Sequence, residues 1–139
     1  MSSIQKAKQA LVTRGSLVPF MCHMQRRMLL DGLEGEEASG IAELVNRIAE
    51  IIKVMPVTYQ QDGLGNNAVV YLHYFGGAAN FYITEKDVDG GVSQAFGLAN
   101  IYGDYKDAEY GYISITELVE NNLELDLHFE PAEICHLGK

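Results

Sequence analysis

Three polar residues near the C-terminus have side chains of the types that do acid–base and metal chemistry. Asp126, His128 and Glu130 occupy alternate positions, and alternate residues of a β-strand lie on one face of it. Carboxylates and imidazoles act as general acids and bases and also ligate metals, so these residues could serve a metal-dependent reaction. The solvent-facing side of a half-buried strand has the same pattern, and no nucleophile accompanies the three residues. The metal-dependent and the solvent-facing interpretations both stay open. From the sequence we therefore assign no catalytic residue and no metal site.

A second group of carboxylates is spaced like the beginning of a calcium-binding loop. Glu85, Asp87, Asp89 and Gly90 follow that pattern, in which oxygen ligands alternate before a glycine. The twelfth position is Phe96, whereas a calcium loop needs a bidentate Glu there. The segment is therefore predicted to be a solvated acidic turn.

Two Cys-His pairs, Cys22-His23 and Cys135-His136, lie near opposite ends of the chain. Thiolates and imidazoles are zinc ligands, but two adjacent residues cannot easily aim both side chains at one ion. Cysteine is also a common small buried residue. The sequence therefore predicts no cofactor, and two cysteines so far apart do not indicate a disulfide framework.

The elements that position these residues begin with helices in the N-terminal part. Apolar residues at helical spacing predict helices over residues 2–15, 16–32 and 39–54. Pro56 follows the third helix and ends it. The second helix is expected to bury one apolar stripe, made of Phe20, Met21, Met24, Met28 and Leu29.

The third helix also has a polar face. Glu43, Arg47, Glu50 and Lys53 stand on it at i,i+3 and i,i+4 spacing, which suits a solvated surface. This face is one of two places where we expect a partner to bind, through Arg47 and Glu50.

From residue 66 onward the pattern changes to β-strands, because runs of β-branched and aromatic residues alternate with turn residues. The first two strands are expected to form a hairpin across Gly76-Gly77, and His73, inside the first strand, is expected to be half-buried with its hydrogen bonds satisfied. A capping-box pattern at Ser114 and Glu117 begins a short helix that reaches Asn121. The predicted strands cover residues 67–75, 79–84, 93–102, 109–113 and 124–130.

This order of elements predicts an α+β fold, with N-terminal helices packed on a mainly antiparallel sheet of four to five strands and a short helix before the last strand. The 139 residues include 47% hydrophobic residues and only three prolines, which suits one folded domain. Its helical part would span residues 1–56 and its acidic, β-rich part residues 67–139. No apolar run reaches the roughly 18 residues that span a bilayer, and no secretory leader pattern is visible, so a cytoplasmic protein is expected.

The charge of the chain is divided unequally. Residues 1–60 contain seven Lys/Arg and six Asp/Glu, a net charge of +1, whereas residues 61–139 contain three Lys and thirteen Asp/Glu, a net charge of −10. Such an acidic part repels phosphate backbones, so direct binding of nucleic acid is disfavoured. A partner with a basic surface is favoured instead, although negative charge also serves solubility.

All eight tyrosines lie between Tyr59 and Tyr112, among these carboxylates. Tyrosine contributes rigid contact area at low entropic cost, and carboxylates pair with basic residues of a partner. Many of the rings must also fill the core, since strands favour aromatic residues. In this part of the chain the expected partner-binding residues are Asp87, Asp89, Tyr102, Asp104, Tyr105, Asp107 and Glu109.

The C-terminal part resembles a bacterial family, the domain-of-unknown-function 2958 family, over residues 69–131. Residues 109–118 (EYGYISITEL) and 126–131 (DLHFEP) are similar to two of its motifs, and FGL at 96–98 and ITE at 83–85 are similar to two shorter ones. The first helix corresponds weakly to the family's opening helix, which would make residues 16–66 an insert. The motif residues are Gly111, Tyr112, Ser114, Glu117, Leu118, Asp126, His128, Phe129, Glu130 and Pro131.

The resemblance implies a setting on plasmids, phages and other mobile genetic elements, but no activity. Small acidic proteins in that setting often protect the element, so our first hypothesis is a non-enzymatic inhibitor of a host defence complex, of the anti-CRISPR or anti-restriction type. The alternative is a metal-dependent or structural accessory factor of plasmid DNA processing, centred in the metal-dependent case on Asp126, His128 and Glu130.

Overall fold

The computed structural model describes residues 1–89, 91–100 and 108–137. Within these ranges four α-helices and two antiparallel sheets form the α+β fold that the sequence predicts. None of the described helices is long and apolar enough to cross a membrane.

The first helix, α1 (Ser3–Leu11), begins where the sequence predicts. The side chain of Ser2 accepts a hydrogen bond from the backbone N–H of Gln5, and the side-chain oxygen of Gln5 accepts one from the backbone N–H of Ser2. This reciprocal cap satisfies two N–H groups that a helix start leaves without partners. The helix buries Ala7, Ala10 and Leu11 and packs on the third helix.

The second predicted helix is wrong in extent and in its apolar stripe. A short 3₁₀ turn (Val18–Phe20) is followed by two extended residues before α2 (His23–Gly32) begins. This break rotates the helix relative to the turn, so Phe20 and Met21 enter the core while Met24 and Met28 are 66% and 68% exposed. Proline in the first turn supports a helix start but does not fix its length.

The third helix, α3 (Ala38–Val54), confirms its prediction with a start one residue earlier. Its buried side chains are Ala38, Ala42, Val45, Ile48 and Ile52. At its C-terminal end the Lys86 ammonium donates to the carbonyls of Ile52 (2.7 Å) and Lys53 (3.2 Å). A cation at this position satisfies carbonyls that the helix itself cannot.

The polar face of α3 is not uniformly solvated, which corrects the prediction for Arg47. This residue is half-buried, and its guanidinium donates to the carbonyls of Leu127 (3.2 Å) and Phe129 (3.0 Å). Arg47 therefore joins the helical layer to the C-terminal segment. Glu50 is exposed as predicted.

The main sheet has five strands in the order β5-β4-β3-β2-β6, each antiparallel to its neighbour. A two-stranded sheet pairs β1 with β7. The strands are β1 (Val69–Val70), β2 (Leu72–Gly76), β3 (Ala79–Glu85), β4 (Ala95–Asn100), β5 (Glu109–Ile113), β6 (Glu124–Leu125) and β7 (Ala132–Glu133), with α4 (Ile115–Glu120) between β5 and β6.

The hairpin of β2 and β3 confirms the prediction, whereas the predicted strand 67–75 is divided between β1 and β2. The predicted strand 124–130 is wrong, because β6 ends at Leu125. Asp126 explains the end: its Oδ1 accepts from the backbone N–H of His128 (3.0 Å), which turns the chain out of the sheet. The last two residues of the predicted strand 93–102 lie outside the described ranges.

The two faces of the main sheet differ in what covers them. The inner face, which includes Leu72, Tyr74 and Ile83, joins the helices in one buried cluster. The outer face is covered in part by a smaller cluster formed by Ala68, Val70, Leu98 and Ile134. The rest of the outer face holds the candidate site.

Candidate functional site

The edge strand β5 presents two tyrosines on the outer face of the sheet. Tyr110 and Tyr112 are 47% and 57% exposed, and the register places them beside Leu98 and Phe96 of β4. Phe96 meets the Tyr112 ring edge-on, with the ring centroids 5.9 Å apart. Two large rings are therefore about half exposed at the sheet edge, and Tyr112 packs against Phe96.

A third exposed ring comes from the loop between α3 and β1. The hydroxyls of Tyr59 and Tyr112 are hydrogen-bonded to each other, and Tyr59 is 58% exposed. This hydrogen bond raises the pKa of Tyr112 above its ordinary value. The Tyr110 hydroxyl donates to Asn66 Oδ1 of the same loop at 2.7 Å. The exposed tyrosines are thus held by polar contacts at their tips.

The loop itself is fixed to the end of β3 by buried polar contacts. Thr58 Oγ1 contacts the carbonyls of Lys86 (2.9 Å) and Gln94 (2.8 Å). The Gln61 amide donates to the carbonyls of Val69 and Thr84, both at 2.9 Å, and its oxygen accepts from the Val69 N–H at 2.7 Å. These contacts give the loop, which includes a short 3₁₀ turn (Gly65–Asn67), a fixed path across the sheet.

Glu85 is the buried carboxylate of this region. It is only 4% exposed, so the prediction of a solvated acidic turn is wrong for this residue. A register shift between Ile83 and Glu85 pairs Glu85 with Phe96, and such bulges re-aim side chains. The bulge therefore places Glu85 on the outer face, where its Oε1 accepts from the Tyr59 N–H at 2.7 Å.

Burial raises the pKa of Glu85 above its ordinary value, and the nearby charge of Asp62 raises it further. The backbone N–H groups of Tyr59 and Gln61 act in the opposite direction. Tyr59 donates from the left-handed region, with φ of 81°, which costs about 1–3 kcal/mol in a residue other than glycine. The loop therefore adopts a strained conformation at the point where it meets the buried carboxylate.

Glu85 forms part of the wall of a cavity of about 210 Å³. We call this cavity the acidic pocket. It lies between the loop and the outer face, with Tyr110 at its side and the exposed Asp62 in its lining. Its lining residues are Gln61, Asp62, Gly63, Gly65, Ala68, Thr84, Glu85, Phe96 and Tyr110.

The charge around the acidic pocket is not balanced by the described residues. Within 61–89, 91–100 and 108–137, the only Lys or Arg is Lys86, and its ammonium is bound to the end of α3. Over the same ranges no Asp or Glu forms an ion pair with a Lys or Arg. The described β-rich part therefore presents a net negative surface.

A second polar cluster surrounds His73. Its Nδ1 lies 3.1 Å from Asp126 Oδ2, its Nε2 lies 2.7 Å from Asn80 Oδ1, and the Tyr82 ring stacks on the imidazole at 4.8 Å. This confirms the prediction of a half-buried, hydrogen-bonded His73. Because both ring nitrogens have oxygen partners, the cluster ties β2, β3 and the residues after β6 together and leaves neither nitrogen for a substrate.

The predicted grouping of Asp126, His128 and Glu130 on one strand face does not form. Asp126 turns toward His73, and His128 and Glu130 are exposed beyond the end of β6. The sequence missed the partner of Asp126 because His73 is 53 residues away along the chain.

One group of metal-ligating types is present among the described residues. Ligand atoms of Glu133, Cys135 and His136 lie within 4.8 Å of one another, and Cys135 Sγ lies 3.5 Å from Glu133 Oε2. Cys135 is exposed and Cys22 is buried.

The expected partner-binding residues are distributed over several surfaces. Asp87 uses its carboxylate within its own turn, accepting from the N–H groups of Asp89 (3.3 Å) and Gln94 (3.1 Å). Glu109 is exposed, but strand alternation places it on the side opposite Tyr110. The remaining expected residues, Tyr102, Asp104, Tyr105 and Asp107, lie outside the described ranges.

The motif residues of the family resemblance have mainly structural roles. Ser114 caps α4 by accepting from the Glu117 N–H at 3.2 Å, and Leu118 of that helix is buried. The Phe129 ring lies 5.7 Å from His73. Tyr112 is the motif residue that reaches the exposed outer face.

Sequence reasoning did not single out Tyr59, Asp62, Glu85 or Tyr110 as a group. The concentration of tyrosines between residues 59 and 112 was the available signal for the rings. The bulge that turns Glu85 outward and the loop path that brings Tyr59 to Tyr112 leave no periodic pattern in the sequence.

Comparison with protein-family models, curated proteins and solved structures finds no match to this chain. The resemblance of residues 69–131 to the domain-of-unknown-function 2958 family stays a prediction.

Proposed function

We propose that this protein is a binding protein that acts by direct contact with a basic surface of another protein. The contact surface is the outer face of the sheet around Tyr59, Tyr110 and Tyr112, with Asp62 beside them. The observation that supports this most strongly is the set of three half-exposed tyrosines, which are held in place by hydrogen bonds at their tips.

Exposed aromatic residues in such a position suit a binding role. Tyrosine is enriched among the residues that contribute most to interface affinity. Rings that are already fixed lose less conformational freedom on binding, which lowers the entropic cost of association. The Tyr59–Tyr112 and Tyr110–Asn66 hydrogen bonds provide this preorganisation.

The surrounding charge indicates the kind of partner. An acidic surface attracts a basic partner over long range and increases the rate of association, and salt screens this attraction. The described β-rich part has many carboxylates and a single lysine, which is bound to α3.

The partner to test first is a subunit of a host defence complex, of the CRISPR or restriction type. Such complexes hold nucleic acid on basic surfaces, and an acidic protein could occupy one of them. The family resemblance, with the mobile-element setting it implies, supports this choice. The proposed mode of action is competition without catalysis.

The experiment is an affinity pull-down of tagged protein from a nuclease-treated host lysate that carries active CRISPR and restriction systems, at low and high salt. We expect a defence-complex subunit to be captured at low salt and released at high salt. Asp62→Lys should lose the capture, because it inverts the charge beside the tyrosines.

Glu124→Lys is the matched control, since Glu124 is exposed on β6 at the opposite edge of the sheet. It makes the same charge change and should retain capture. Equal capture by both variants would contradict the proposed surface. Recovery of only plasmid replication or transfer proteins would favour the accessory role instead.

A further inference from the structure

We propose that the acidic pocket binds one basic side chain, a guanidinium or an alkylammonium group, with Glu85 as its counter-ion. The inference rests on the proposed function for the source of that side chain, which is the basic partner. The partner's cation would enter at the acidic pocket.

The size of the pocket suits one side chain. Its volume is about 210 Å³, below the roughly 300–1,000 Å³ of sites that hold drug-sized ligands. The end of an arginine or lysine side chain is long and thin enough to enter such a space from a surface laid across its mouth.

The lining of the pocket has the chemistry that a cation requires. Glu85 provides a carboxylate that is 4% exposed, and Asp62 provides a second carboxylate that is exposed. Phe96 and Tyr110 contribute aromatic rings, whose faces attract cations.

The buried carboxylate lacks a cationic partner among the described residues. Its contacts are backbone N–H groups of the loop, and no Lys or Arg forms an ion pair with it in the described ranges. Burying a charge without an opposite charge is costly. A cation that entered the pocket would offset this cost, and the elevated pKa of Glu85 is consistent with the present imbalance.

The pocket is also preorganised. Gln61 lines it and is held by three hydrogen bonds to the backbone, and Thr58 anchors the same loop to Lys86 and Gln94. A site whose walls are already in position binds a small ligand with less ordering cost.

The test is a titration of isotopically labelled full-length protein, followed by NMR of the backbone amides of Gln61, Glu85 and Phe96. The probes are N-acetyl-arginine amide and N-acetyl-lysine amide. The matched neutral probes are N-acetyl-citrulline amide and N-acetyl-norleucine amide. We expect saturable shifts with at least one cationic probe and none with the neutral probes, and the cation that binds more tightly identifies the preferred side chain.

Glu85→Gln keeps an oxygen that can accept from the Tyr59 N–H but removes the charge, and it should weaken the binding of the cationic probe about tenfold or more. Asp62→Asn at the exposed part of the lining gives a second variant that leaves the core intact and should also weaken binding. Glu124→Gln is the control and should bind as the wild type does.

Equal shifts with charged and neutral probes, or no shift with either cationic probe, would overturn the inference. So would full probe affinity in both Glu85→Gln and Asp62→Asn. These failures differ from a failure of the proposed function, because partner capture that is lost in Asp62→Lys would still support the outer face as the contact surface.

Discussion

The same residue type has opposite surroundings on the two faces of the main sheet. Tyr74 on the inner face is fully buried, and its hydroxyl donates to the Phe20 carbonyl. Tyr110 and Tyr112 on the outer face are 47% and 57% exposed. Burial also raises the pKa of the Tyr74 hydroxyl well above its ordinary value. Tyr74 therefore serves stability, whereas Tyr110 and Tyr112 keep about half of their surface in contact with solvent.

The difference arises from what each face packs against. Helices α1 and α3 supply apolar side chains to the inner face, so its rings lie away from water. Among the described residues, the outer face receives the short segments that carry Ala68, Val70 and Ile134 and the loop that carries Tyr59, and Tyr110 and Tyr112 stay about half exposed there. A covered face tolerates little change, while an uncovered face can change without loss of the fold.

The largest expected effect on stability comes from Tyr74→Ala. Removal of a buried ring should lower the free energy of unfolding by about 3–5 kcal/mol, by analogy with other buried aromatic residues. Tyr112→Ala should change it by about 0.5 kcal/mol or less. Urea unfolding followed by circular dichroism measures both, and equal losses would remove the distinction between the faces.

A smaller loss of stability is expected from Arg47→Ala, because Arg47 connects α3 to the C-terminal segment that follows β6. Two charge-assisted hydrogen bonds, to Leu127 and Phe129, disappear, and the free energy of unfolding should fall by about 1–3 kcal/mol. Glu50→Ala on the same helix is the exposed control. If both variants unfold at the same urea concentration, Arg47 does not join these layers.

Glu85→Gln tests the pocket through the pH dependence of stability. The pKa of Glu85 is higher in the folded protein than in the unfolded chain, so ionising it costs more in the folded state. The Glu85 carboxyl therefore contributes most to the free energy of unfolding at low pH, and this contribution declines as the pH rises through the folded pKa. The stability of the wild type should therefore fall relative to the variant as the pH is raised from about 4, the ordinary pKa of a glutamate, toward neutral pH. A constant difference over that range, measured by urea unfolding, would contradict a buried carboxylate.

The smallest effect is expected from Tyr59→Phe, which removes the hydroxyl partner of Tyr112 and leaves the ring. Stability should not change measurably, because both rings are exposed. The pKa of Tyr112 should fall toward its ordinary value, since the hydrogen bond between Tyr59 and Tyr112 is the main cause of the increase. A spectrophotometric titration of the variant beside the wild type checks this.

Local pattern was sufficient to predict much of the fold. The apolar stripe of α3 and the paired aromatic runs of β2 and β3 bury residues that are near one another in the chain, and both elements form as expected. The early end of β6 depends on a side chain that competes with the backbone ladder, that of Asp126. Hydrophobic periodicity does not contain this information.

The candidate site was less accessible to prediction, because each part depends on contacts between distant segments. Glu85 reaches the outer face through a bulge, and Tyr59 reaches Tyr112 across 53 positions of the chain. The composition of the region indicated an acidic surface rich in tyrosine, but only the folded chain shows which carboxylate is buried and which rings share its pocket.

The most direct test of the outer face as a binding surface is the affinity of the captured partner for wild-type protein and for the Tyr110→Ala/Tyr112→Ala double variant, measured by calorimetry alongside the thermal midpoint. Exposed interface tyrosines typically contribute more than about 1 kcal/mol each when they are important for binding. We expect the affinity to fall at least about tenfold while the thermal midpoint stays that of the wild type. Undiminished affinity in a folded double variant would contradict the proposed surface.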